Sequence, residues 1–222
     1  MSYTNVLTLT LFCAGIPFAG GCTDNPADAK PAATVQSAPS KGSATSSRSK
    51  DHTVLKLGGD IIFVGSKVTG NHACKFTNWA GEAKMAAGSN GFDLTRSEIS
   101  FVVQTKDLVA DFAAPSPWSK KLETHLRSDD FFSSEKHPTA RFQSSAIVPL
   151  AGQGGTHSIT GSLTIKNITK TITFPATLKT SAKAVEASAE FSINRQDFNI
   201  KYAGAPDDLI RDEVLLKLNF KG

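Results

Sequence analysis

The chain has 222 residues, 40% of them hydrophobic, a length and composition that suit one domain of ordinary size with appendages and enough apolar material for a core. Its formal charge of +4 is spread, with Lys and Arg interspersed among Asp and Glu. That pattern lacks the basic stripe of a nucleic-acid-binding protein, and nucleic acid is not an expected partner.

Residues 1–22, MSYTNVLTLTLFCAGIPFAGGC, carry no charged side chain, and the apolar run Val6 to Phe18 has the length of a signal-peptide core, too short for a membrane span. The run ends at Phe18-Ala19-Gly20-Gly21-Cys22, and small residues directly before a cysteine resemble the bacterial lipobox, whose cysteine is acylated. Ala19 stands where that motif usually has Leu, and no Lys or Arg precedes the run. A lipid-anchored protein, a conventionally cleaved secreted protein and a retained segment all stay open, with Cys22 the lipidation candidate under the first. Residues 23–51 are rich in Ala, Pro, Ser and Lys and nearly empty of large apolar groups, so they are expected to form a disordered tether. With Cys13 in the apolar run and Cys22 at its end, Cys74 is left alone in the remaining domain, where it reads as a small buried hydrophobe.

From His52 to Gly222 the hydrophobic period is two. Leu55 to Ala87 predicts two strands broken near Gly70-Asn71, and Ile99, Phe101 and Val103 predict the next. Pro117 after Ser116, with Trp118, Leu122 and Leu126 at four-residue spacing, predicts one short helix capped by Ser116, running into the paired aromatics Phe131 and Phe132. Strands then follow at Ala140 to Val148, with Ala140, Phe142, Ser144, Ala146 and Val148 on one face, and at Ile159 to Ile165, Ile172 to Leu178, Ala187 to Ile193 and Val214 to Phe220. Turn chemistry separates them at 152–155, 166–169 and 204–207. About eight strands at this spacing imply an all-β barrel or sandwich, and a lone helix followed by two phenylalanines is a natural lid for one end.

Three separated stretches resemble the YceI family: Leu122 to Phe142 with Asp130-Phe131-Phe132 and His137-Pro138; Ile159 to Ile165 with Thr169-Lys170; and Asn194 to Phe198 ahead of Asp212-Glu213-Val214. Asn199 and Asn167 stand where the family usually has Gly, and Asn tolerates left-handed backbone. The resemblance implies an extended, eight-stranded antiparallel lipocalin-like barrel, exported to the bacterial periplasm, that holds a polyisoprenoid, an isoprenoid quinone or a similar lipid. On that basis Trp118, Leu122, Phe131 and Phe132 are expected at the lipid's entrance, and Phe142, Leu163, Ile165, Phe174, Phe191 and Ile193 along its channel. Small residues at Ala140, Ala146, Gly161, Ala176, Ala187 and Ala189 are expected to leave that channel open, and Lys120, Lys121, Arg127 and Lys136 are expected either to attract a phosphate at its mouth or to stand as plain solvated surface.

No catalytic constellation stands out. His52, His72, His125, His137 and His157 show no HExxH or paired-ligand spacing, so no metal or cofactor is called for and an enzyme is not expected. Arg195 and Asp197 are expected to form a structural ion pair. The rival to a lipid carrier is a packed barrel that works through its surface as an envelope stress or interaction protein. Monomer and homodimer both remain open.

Overall fold

The computed structural model describes residues 25–37, 52–89, 91–152 and 154–222. The signal-like segment, including Cys22, lies outside the described residues. The elements in chain order are β1 (Thr34–Ser37), β2 (His52–Lys67), β3 (Gly70–Phe76), β4 (Trp79–Gly88), β5 (Gly91–Gln104), β6 (Leu108–Ala110), α1 (Pro117–Arg127), β7 (Thr139–Pro149), β8 (His157–Ile165), β9 (Ile168–Thr180) and β10 (Val185–Asn194). A 3-10 turn (Arg195–Phe198), β11 (Gly204–Ala205), β12 (Asp208–Leu209) and β13 (Glu213–Lys221) complete the chain.

The main sheet runs β13-β10-β9-β8-β7-β5-β4-β2 and closes on itself where β13 pairs with β2, so the core is a closed, eight-stranded antiparallel barrel. Two staves are interrupted rather than continuous. β2 pairs through Leu57 with Gly81 of β4 and through Ile62 with Lys75 of β3, which makes β3 and β4 one kinked stave. β5 and β6 form the next in the same way, since β5 pairs with β4 and β6 with β3. The Leu55 to Ala87 stretch therefore gives three strands, and its first turn falls at Val68-Thr69, ahead of the expected Gly70.

Local chemistry accounts for most corners. Lys166 and Asn167 take φ of 50° and 61° in the two-residue turn between Ile165 and Ile168, the mirror-image geometry that matches strand twist. Asn199 closes the 3-10 turn at φ 56°, the conformation for which Gly or Asn is favoured. The β11–β12 hairpin forms over Pro206-Asp207, as the turn signal suggests.

Sequence periodicity misleads in β7. A register shift between Ser144 and Ala146 inserts an extra residue, and beyond a bulge every side chain changes face. Ile147 is consequently buried, whereas Ala146 and Val148 face out and Val148 is 49% exposed.

The expected tether is also corrected in part. Residues 25–37 lie against the barrel: β1 pairs with β9, Ala32 bridges Ser192 of β10, and Lys30 forms an ion pair with Glu190 at 2.5 Å. Low apolar content did not prevent order there because an existing sheet supplies the hydrogen-bond partners, and Ala27 and Ala33 are small enough to be buried on it. Residues 38–51 lie outside the described residues.

Candidate functional site

Helix α1 begins as its sequence suggests. Ser116 is extended at the cap, Pro117 opens the first turn, and the Ser119 hydroxyl accepts the Ser116 N–H at 3.0 Å. Its buried face is Ser119, Glu123 and Leu126, however, with Leu122 half-buried beside it and Trp118 outside it. The polar members of that face have partners on the barrel: Ser119 Oγ donates to Asp111 at 3.0 Å, and Glu123 Oε1 accepts the Ala110 N–H at 3.2 Å. Burial works against the Glu123 charge, but hydrogen bonds from Lys120 and Ala110 outweigh it and hold the carboxyl below its ordinary range. These bonds rotate the helix so that Trp118 points to water, 71% exposed, with the Lys121 ammonium 4.2 Å above its ring. Trp118 is thus no part of the entrance.

After the helix the chain folds back through Phe132 N–H to Leu126 O at 3.0 Å and Ser133 N–H to Ser128 O at 2.8 Å, which aims the paired aromatics at the barrel end. Phe132 stands edge-on to Phe63 and Phe76 at 5.6 and 5.7 Å. Phe131 instead packs beside His125 and Tyr202, at 4.9 and 5.6 Å.

Beneath this lid is a chamber of about 140 Å³. Eight of the ten expected lipid contacts line it: Phe131, Phe132, Phe142, Leu163, Ile165, Phe174, Phe191 and Ile193. Leu122 lines the neighbouring cleft, and Trp118 lines neither. Lining residues outside the hydrophobic pattern include Phe63 and Phe76 on β2 and β3, Phe198 at the end of the 3-10 turn and Ile210 after the β11–β12 hairpin.

The interior is not one open channel. Rings form a belt across it from Trp79 to Phe220 (5.2 Å), Phe101 (5.5 Å), Phe142 (5.4 Å), Phe174 (5.7 Å) and Phe191 (4.0 Å). The space beside Gly161, expected to stay open, is filled by the Phe142 ring. Beyond the belt lies a small apolar space of about 20 Å³.

The lid-end chamber shares Phe63, Gly65, Leu126, Phe131 and Ile210 with a cleft of about 260 Å³ between α1 and the β11–β12 hairpin. The cleft is more polar, lined by Ser66, Lys67, His72, His125, Tyr202 and Asp208. Its basic side chains already face carboxylates: Lys67 with Asp208, His72 with Asp111 at 3.0 Å and His125 with Asp130 at 2.9 Å. Of the basic residues expected around the mouth, Lys120 is engaged with Glu123 at 3.0 Å, Lys136 with Asp129 at 2.6 Å and Arg127 with the Lys106 and Leu108 carbonyls, while Lys121 lies over the Trp118 ring.

Arg195 reaches the chamber floor and is buried. Its partner is Asp212, at 2.9 Å, and not the expected Asp197. Asp197 belongs to the short 3-10 turn that Arg195 opens, whereas Asp212 lies at the foot of β13, where the guanidinium also reaches the carbonyls of Ile200, Ile210 and Arg211. Cys74 is buried, and that burial, with Asp111 and Glu123 nearby, pushes its thiol up to about 12. Among the described residues no group of three His, Cys, Asp or Glu side chains is placed to hold a metal ion.

Comparison with known proteins follows the same outline. A UPF0312 protein of Pseudomonas putida is 28% identical over 176 residues, covering 70% of this chain and 90% of its own. The crystal structure of Burkholderia cenocepacia BcnA matches the fold with a TM-score of 0.60 at 20% identity, covering 73% of this chain and 95% of its own. A polyisoprenoid binding domain from Saccharophagus degradans matches with a TM-score of 0.53 at 14% identity, covering 75% and 95%. The model of the YceI-like domain matches residues 47–222, and the chain belongs to that family.

Proposed function

We propose that the protein binds the apolar chain of an amphiphilic lipid in the chamber under the lid, and stores or carries that lipid in the bacterial envelope without catalysing a reaction on it. The observation that carries this reading is a buried, apolar chamber that opens through shared residues into a more polar cleft, one compartment for each end of an amphiphile. Each methylene moved from water into such a chamber contributes about 0.8 kcal/mol, so a chain of modest length binds without a specific polar contact. The structural likeness to a domain described as polyisoprenoid binding supports an isoprenoid chain.

The chamber is close in size to an engineered cavity of about 150 Å³ that takes up benzene, so it holds one segment of a long chain, and the rest leaves by the cleft. Because Lys67 is paired with Asp208 and His72 and His125 face the carboxylates of Asp111 and Asp130, an uncharged headgroup such as a quinone ring or an alcohol suits the cleft better than a phosphate. We assign the periplasm as its location and acylated Cys22 as its anchor, on the strength of the apolar leader and the lipobox-like ending.

The aromatic belt favours a second reading, a packed barrel that acts through its surface. Organic extraction of the purified protein followed by mass spectrometry separates the two. A carrier releases a long-chain lipid; repeated recovery of a stable, lipid-free barrel supports the packed alternative. Labelled fatty acid should enter the wild type and not Cys22→Ser, and label retained in that variant would refute the anchor.

A further inference from the structure

The barrel does not have the same number of staves at both ends. β9 and β10 pair directly only from Val185 with Thr180 to Ser188 with Thr177. Continued, that register would set Phe191 opposite Phe174, Ser192 opposite Thr173 and Ile193 opposite Ile172. The phenylalanine rings do meet, stacked at 4.0 Å, but beyond them the two strands part and residues 31–37 lie between them. On one edge Thr34, Val35, Gln36 and Ser37 pair with Thr173, Ile172, Thr171 and Lys170. On the other edge the Ala33 N–H donates to the Ser192 carbonyl at 2.8 Å, and the Ser192 N–H donates to the Pro31 carbonyl at 3.0 Å. Ala33 is buried in the barrel core, and Val35 packs against it.

This insertion coincides with the chamber. Ile172 and Ile193, which it separates, line the cavity of about 140 Å³, while the apolar space inside the half where β9 and β10 pair directly, beside Ala176, Ala187 and Ala189, is about 20 Å³. Barrel width grows with strand number, so an added stave widens the end where it is inserted. The inserted residues precede the stretch, 47–222, that matches the family model.

We propose that residues 31–37 act as a ninth stave that holds β9 and β10 apart at the lid end and thereby sets the width of the lipid chamber, favouring a methyl-branched isoprenoid chain over a linear acyl chain. The ligand preference rests on the lipid-binding reading above; the effect on the wall does not. A linear chain is thinner than one carrying a methyl at every isoprene unit, so a narrowed chamber excludes the second first.

A pair of cysteines tests the wall directly. With the stave in place, Thr173 faces Thr34 and Ser192 faces Ala32, so the two are at least two strand spacings apart, about 9.5 Å or more, too far for a disulfide, whose Cα atoms lie within about 7 Å. With the stave gone, the continued register brings them face to face at about 4.5–5.5 Å. The full chain carrying Thr173→Cys and Ser192→Cys should therefore resist cross-linking under mild oxidation. The same chain with Ala33→Asp and Val35→Asp, which put carboxylates into core positions, should cross-link at least ten-fold more, as should a chain lacking residues 25–37. The linked peptide is identified by mass spectrometry, which separates it from any pairing with Cys13 or Cys22. Equal cross-linking in all three chains, or none in any, overturns the proposal. In the chains without the cysteine pair, the Asp substitutions should weaken binding of geranylgeraniol at least ten-fold and of hexadecanol less than two-fold; an equal loss for both probes overturns the width preference. If the wild type binds neither probe the lipid-binding reading and the preference built on it fail together, and the cross-link alone decides whether the stave shapes the wall.

Discussion

The ring of Phe142 occupies the space that a side chain at Gly161 would need: a Cβ there would stand 2.5 Å from Phe142 Cζ and 2.5 Å from the Gln143 carbonyl oxygen. One of those neighbours is backbone held in the β7–β8 ladder, so it cannot give way cheaply. Gly161→Ala should destabilise the fold by about 1–3 kcal/mol, the usual range for overpacking a tight core, measured by urea unfolding. It should also push Phe142 from its place between Phe101 and Phe174, visible as shifted aromatic resonances.

The lid separates two aromatic residues that look alike in the sequence. Phe132 is inserted among Phe63 and Phe76, and Phe132→Ala should cost about 3–5 kcal/mol through the cavity it leaves. Trp118, on the same segment but facing water, should tolerate Trp118→Ala within about 0.5 kcal/mol and with unchanged lipid content.

Arg195 is a buried charge with a single acidic partner and several carbonyl acceptors. Arg195→Met should destabilise by about 1–3 kcal/mol, because it leaves the carbonyls of Ile200, Ile210 and Arg211 without their donor, while Asp212, 41% exposed, keeps water and the Gln196 side chain as partners. Arg195→Lys should not restore stability, since an ammonium cannot span the same fork of acceptors. Thermal unfolding of both variants beside the wild type checks this.

How much of this was legible from the sequence depends on how local each feature is. The alternation in β8, β9, β10 and β13 and the Ser116-Pro117 cap are written in neighbouring residues, and the chamber-lining Leu163, Phe174, Phe191 and Ile193 follow from them. The β7 bulge defeats the same logic, because a single extra residue leaves no mark in composition yet exchanges Val148 for Ile147 in the core. Trp118 falls outside the site because hydrophobicity alone does not foresee that Ser119 and Glu123 find hydrogen-bond partners on Asp111 and Ala110. Residues 31–37 read as a tether because their order comes from the edges of β9 and β10, distant in the chain.

Acid should weaken the fold. Hydrogen bonds from Arg96 and Thr95 bring the Asp93 pKa from 3.8 down to about 2 in the folded state, and Asp129, Asp208 and Glu190 are lowered by hydrogen bonds from lysines. The unfolded chain takes up these protons first, at its ordinary values of 3.8 to 4.5, so the stabilisation is complete above about pH 5 and is lost as pH falls toward 2. Asp93→Asn should flatten the stability profile in that window, measured by urea midpoints at successive pH values.

Alkali should act through Cys74 with the opposite sign. Its folded pKa of about 12 lies above the ordinary 9.0, so the contribution is whole below pH 9 and is lost as pH rises from 9 toward 12. A thiol reagent at pH 8 should leave Cys74 unmodified in the native protein and modify it in urea, and Cys74→Ala should remove its part of the alkaline loss.

The central claim is that the chamber under the lid holds a lipid chain. Ala140 is buried and lines that chamber, so Ala140→Phe places a ring in a space of about 140 Å³ without touching the lid or the cleft. Native mass spectrometry of wild type and variant, purified side by side from the same cells, should show a non-covalent lipid mass on the wild type and its absence from an equally folded Ala140→Phe protein. The same lipid mass on both, or none on either, would contradict it.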